Sequence, residues 1–131
     1  MQTILSITGG SFRRNEDSYR EYDGFIIETE SQKIKIGISN GQSCCESWGY
    51  VASEDNTQEF VGAELIDVSV VDEALNKKII DATEGSETYA MFVNVETSAG
   101  LLQFAVYNSH NGYYGHEGVL ITNEGVHSES L

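Results

Sequence analysis

Proline is absent from this chain, and cysteine occurs only twice, as adjacent residues, in 131 positions. With no pyrrolidine ring to pre-set a turn or break an element, the punctuation falls to 13 glycines. Basic side chains are scarce as well. Seven Lys and Arg stand against 21 Asp and Glu, a formal net charge of −14, and none lies beyond Lys78. Such a body repels phosphate backbones, so direct nucleic-acid binding is not expected. No apolar run approaches the roughly 20 residues that span a bilayer, and no membrane association is expected. The opening residues, Met1 to Thr8, lack the basic region and cleavage pattern of an export signal. The expected location is therefore the cytoplasm, where thiols stay reduced and two cysteines are more readily metal-bound or free than joined in a disulfide. Internal repeats and low-complexity tracts are also missing.

What is present is period-two patterning. Length and a hydrophobic fraction of 40% suit one modest core, and residues 1–131 are read as a single domain. Residues 2–8 read as a first strand closed by Gly9-Gly10, and the polar stretch 11–21 as a loop or short helix. Residues 24–30 and 33–38 read as a hairpin rich in β-branched side chains. Further strands are expected over 48–53 and 63–71, with a helical turn over 55–60 between them. A turn or two of helix over 72–79 would start from an N-cap at Asp72. Residues 88–97 and 101–108 form a second hairpin around Ser98-Ala99-Gly100, and 118–122 is the last strand. Residues 126–131 read as a frayed tail. The expected class is mainly β, a β-rich α+β domain. It is a compact antiparallel sheet sandwich or open barrel-like roll of seven or so strands, with one or two short helices.

Two short segments hold both cysteines and two of the three histidines. One is Gln42-Ser43-Cys44-Cys45-Glu46-Ser47-Trp48-Gly49-Tyr50, the other His110-Asn111-Gly112-Tyr113-Tyr114-Gly115-His116-Glu117. Thiolate and imidazole are the donors zinc prefers, and four of them complete a tetrahedral structural site. His110 and His116 have five residues between them, within the spacing of many structural sites, and Gly112 and Gly115 let the backbone reverse. The cysteine half is less regular, because neighbouring side chains of a strand point to opposite faces. Either the backbone kinks so that Cys44 and Cys45 both ligate, or one ligates and Glu46, Glu117 or water completes the shell. The competing readings are a strained vicinal disulfide, and two buried structural cysteines beside unrelated histidines. His127, in a Ser/Glu-rich tail, reads as solvated. Trp48, Tyr50, Tyr113 and Tyr114 read as packing around the metal or, if exposed, as interface anchors.

Catalysis has little support. A hydrolytic zinc needs an open coordination position and a base, for which only Glu46 or Glu117 is at hand. No H-E-x-x-H helix, deaminase signature, Gly-x-Ser-x-Gly elbow or phosphate loop is present. A complete Cys2His2 shell leaves the ion a structural role, so the chain is not expected to be an enzyme. The acidity either keeps a small protein soluble or fits it to a groove built for nucleic acid, since basic surfaces attract such a body at enhanced rates.

The Cys44-Cys45-Glu46-x-Trp48-Gly49-Tyr50 segment, the strand Phe60-Val61-Gly62-Ala63-Glu64-Leu65 and the segment from His110 to His116 carry a resemblance over about residues 35 to 122. They resemble a family of small uncharacterised proteins from phages and bacterial mobile elements. The chain is also similar to a zinc-containing anti-CRISPR inhibitor of the type II RNA-guided nuclease. That resemblance implies a protein of the bacterial host cytoplasm, with a structural Zn2+ on Cys44, Cys45, His110 and His116, that binds the nuclease and hinders target-DNA loading. The expected contacts are the carboxylates Glu54, Asp55, Glu59, Asp72, Glu73, Glu84 and Glu87. The alternatives are a zinc-stabilised phage accessory protein acting on another host factor, or a small zinc hydrolase. An acidic monomer is the default, although exposed sheet edges can pair.

Overall fold

The computed structural model describes residues 2–15, 19–41, 47–110 and 115–131. Among these residues nine strands form one antiparallel sheet. They are β1 (Gln2–Arg13), β2 (Glu21–Thr29), β3 (Lys33–Ser39), β4 (Ser47–Ala52), β5 (Glu64–Val71), β6 (Thr88–Thr97), β7 (Gly100–Ser109), β8 (Glu117–Thr122) and β9 (Gly125–Ser130). The spatial order is β4-β7-β6-β5-β1-β2-β3-β8-β9. Among the described residues, helix is confined to α1 (Lys77–Thr83) and a single tight turn at Thr57–Phe60. The expected mainly-β class is therefore the observed one.

β1 is the hinge of the sheet. Its first residues, Gln2 and Thr3, pair with β5, and from Ile4 onward it pairs with β2. The register slips at Leu5 on β1 and at Ile66 on β5. Such bulges bend a strand and increase its twist. The two halves then fold face to face around one core. Ile27, Ile34, Ile36 and Ile38 come from one half, and Val93, Val95, Leu102, Phe104 and Val106 from the other. Phe25 meets Phe104 at 4.5 Å between ring centres, and β4 touches β2 and β3 across the fold. A smaller cluster of Phe12, Tyr22 and Val119 covers the opposite face. Glycine makes that close approach possible. A Cβ on Gly37 would lie 2.6 Å from the Phe12 ring, and one on Gly24 would lie 2.0 Å from the Ile36 carbonyl oxygen.

Three expectations are corrected. Residues 126–131 are no frayed tail: 125–130 form β9, paired along β8, and Leu131 is 5% exposed in the core. β1 runs past Gly9-Gly10 to Arg13, so the loop reading of 11–21 fails at its start. Helix α1 is capped by Asn76, whose side chain accepts from the Ile79 N–H at 3.2 Å, and not by Asp72. The buried Gln103 explains the last point. Its carboxamide accepts from the Leu75 N–H at 2.8 Å and donates to the Glu73 carbonyl at 2.9 Å, holding 73–75 out of a helix.

Candidate functional site

The ladders bring the flanks of the two motif segments together. Ser47 is the register partner of Ser109, and Trp48 of Asn108. On the other side Ser39, at the end of β3, meets His116 and Glu117 at the start of β8. The connections β3 to β4 and β7 to β8 thus cross between the same two halves of the sheet at one end of the fold. Cys44, Cys45 and Glu46, together with Tyr113 and Tyr114, lie outside the described residues.

Both histidines lie within them. His116 is buried, at 6% exposure, and its ring sits 5.5 Å from that of Trp48. Its Nδ1 bonds the Ser39 carbonyl oxygen. A carbonyl can only accept, so Nδ1 is the donor in this contact. This is the way a ligating imidazole is oriented in metal sites. The Ser39 hydroxyl lies 3.3 Å from the same nitrogen and accepts the Glu117 N–H at 2.9 Å. The half-buried His110 ring lies tilted against that of Tyr89, 5.0 Å between centres, and its backbone N–H donates to the Glu87 carbonyl at 3.1 Å. Among the described residues alone, no group of three or more His, Cys, Asp or Glu is placed to hold a metal.

Glu117, considered from sequence as a spare ligand or base, is committed elsewhere. Its carboxylate accepts from the Tyr22 hydroxyl, pairs with Arg14 at 2.8 Å and lies 3.7 Å from Arg20. Burial, reinforced by the Glu117 hydrogen bond and charge, raises the Tyr22 pKa above the ordinary phenol value. This cluster borders a depression of ≈ 910 Å³ lined also by Tyr19, Asn40 and Ser130. Tyr22, Arg14, Arg20 and Ser39 carried no local signal in the sequence, because every one of these contacts joins residues far apart in the chain. Of the aromatic residues, Trp48 packs against the main core and Tyr50, 39% exposed, meets Phe25 edge-on.

Charge is segregated. Residues 47–110 hold eleven Asp and Glu against Lys77 and Lys78, and all eleven carboxylates are exposed. Lys77 already pairs with Asp81 at 2.6 Å and Lys78 with Asp55 at 2.7 Å. Glu54, Asp55, Asp72 and Glu73 lie in the linkers around the start of α1, which are joined by the Asn76 amide to the Ser53 carbonyl at 2.9 Å. Glu84 and Glu87 follow the end of α1, while Glu59 sits apart in the turn beside β1. Sequence reasoning missed Asp67 and Glu96. They are direct register partners across β5 and β6, exposed on one face with Ser69 and Asn94. Their strand alternation was the available signal. Like charges set opposite each other cost stability.

The family described as Domain of unknown function (DUF7448) matches residues 2–120. No curated protein and no solved structure matches the chain.

Proposed function

We propose that this chain, which belongs to the DUF7448 family, is a binding protein that acts by covering a basic protein surface and turns nothing over. The observation that carries this reading is the pair Asp67 and Glu96, held opposite each other and both exposed in the acidic half. A fold that keeps two carboxylates in register gives up some stability for a local negative field. The surfaces that reward such a field are those built to hold phosphate backbones.

The partner is the type II CRISPR RNA-guided nuclease of a bacterial host, which holds its guide–target duplex in a positively charged channel. The resemblance carried by the Cys44 to Tyr50 and His110 to His116 segments names this partner, and the acidic half is complementary to it. Glu54, Asp55, Asp72 and Glu73 around α1, with Glu84 and Glu87 beyond it, extend the surface, and target-DNA loading is hindered. The site of action is the host cytoplasm. No helix among the described residues is long and apolar enough to cross a membrane.

Zinc has a structural part in this reading. Cys44, Cys45, His110 and His116 would hold it, tying the two crossing connections so that both sheet halves keep one relative placement. Ser39 holds the His116 imidazole in place through Nδ1.

The test is a cleavage assay with purified nuclease, guide and target DNA. The proposal expects inhibition that saturates at stoichiometric protein and weakens as salt rises, since exposed charges are screened within about 8–10 Å at such ionic strengths. Complete cleavage at equimolar or excess protein contradicts it.

A further inference from the structure

We propose that two copies of this chain pair through β9, in an antiparallel two-fold register centred on Ser128. The two ends of the sheet differ. β4 is folded against β2 and β3, whereas β9 has β8 on one side only.

The phase of the β8–β9 ladder follows from His116 and Leu131, which exchange both backbone bonds, at 2.8 and 2.7 Å. Stepping by two residues, Gly118 with Glu129, Leu120 with His127 and Thr122 with Gly125 are the bonded pairs. Val126, Ser128 and Ser130 therefore turn their N–H and C=O groups away from β8. No described residue hydrogen-bonds these groups. An exposed row of this kind is a template for another strand.

Side-chain complementarity selects the occupant and the register. His127 and Glu129 share one face, 2.9 Å apart. With Ser128 on the axis, Ser128 bonds its own copy and Val126 bonds Ser130 of the other copy, so every outward group is used. The same register sets His127 opposite Glu129 of the second copy, twice, in the close pairing of an antiparallel ladder. Centring on His127 instead opposes two histidines, and centring on Glu129 opposes two carboxylates. Both leave outward groups unpaired. The strand is complementary to itself in one register. With −14 on each chain, the pairing strengthens as salt screens repulsion between the bodies.

Sedimentation velocity of the full chain over a concentration series, at low and high salt, tests this. A reversible monomer–dimer equilibrium that tightens with salt is expected. Ser128→Pro removes an N–H that the fold itself does not use, at an edge where proline is tolerated, and should stay monomeric throughout. His127→Glu should weaken the dimer about tenfold by opposing carboxylates, and combining it with Glu129→His should restore it. Should Ser128→Pro fail to fold, judged by circular dichroism, the charge pair decides. A wild-type chain that stays monomeric at every concentration and salt overturns the proposal. So does association that survives Ser128→Pro unchanged, or that is indifferent to His127→Glu.

Discussion

His116 is anchored by the carbonyl of Ser39, a residue 77 positions earlier in the chain, and Ser39 in turn receives the Glu117 N–H on its hydroxyl. The contact joins β3 to the start of β8 at the point where both motif segments cross the fold. Backbone, and not side chain, orients the imidazole. Ser39→Ala should therefore cost only about 1 kcal/mol, the loss of the hydroxyl's bond, and leave metal content unchanged. His116→Ala removes a buried ring beside Trp48 as well as a donor. It should cost about 2–4 kcal/mol and lower metal content. Urea denaturation with elemental analysis of both variants separates the two effects, and equal metal content in both would count against His116 as a ligand.

The Tyr22 hydroxyl donates to Glu117 from a buried position. Tyr22→Phe leaves that carboxylate with its arginines alone and should cost about 1–3 kcal/mol, as for a bond to a charged acceptor. The folded-state pKa of Tyr22 is raised, so the folded protein holds this proton more tightly than the unfolded chain. The resulting stability is complete below the ordinary phenol pKa of about 10 and is lost as pH rises through the higher folded-state value. Thermal melts at alkaline pH should show this loss in the wild type and less of it in Tyr22→Phe.

Asp67 and Glu96 give a prediction of opposite sign for stability and for function. Glu96→Lys converts a like-charge register pair into an opposite one and should raise stability by about 0.5–1 kcal/mol. The same change should weaken association with the nuclease and reduce its dependence on salt. A variant that is stabilised yet inhibits fully would remove the pair from the binding surface.

The hairpins were legible because each carries its own evidence. β2 and β3 alternate cleanly over a short turn, and β6 and β7 meet at Ser98-Ala99 with Gly100 at φ +125°. β9 was illegible for a physical reason. As a sheet edge it buries almost nothing until Leu131, so Val126-His127-Ser128-Glu129-Ser130 has no apolar rhythm to betray it. β1 was cut short because Gly9-Gly10 resembles a strand end, whereas Gly10 is the register partner of Gly24 inside the sheet, and Gly24 is the crowded one of the two. The start of α1 depended on Gln103, 30 residues after Glu73, which no local window contains. At the candidate site the motif spacing pointed to His110 and His116. The commitment of Glu117 to Tyr22, Arg14 and Arg20 needed the assembled strands.

The central claim is that a divalent metal ties the two crossing connections, and elemental analysis of tag-free protein purified without added metal tests it most directly. The account predicts stoichiometric zinc, with the melting temperature falling sharply once a strong chelator strips it. A metal-free chain that melts at the same temperature with and without chelator would contradict it.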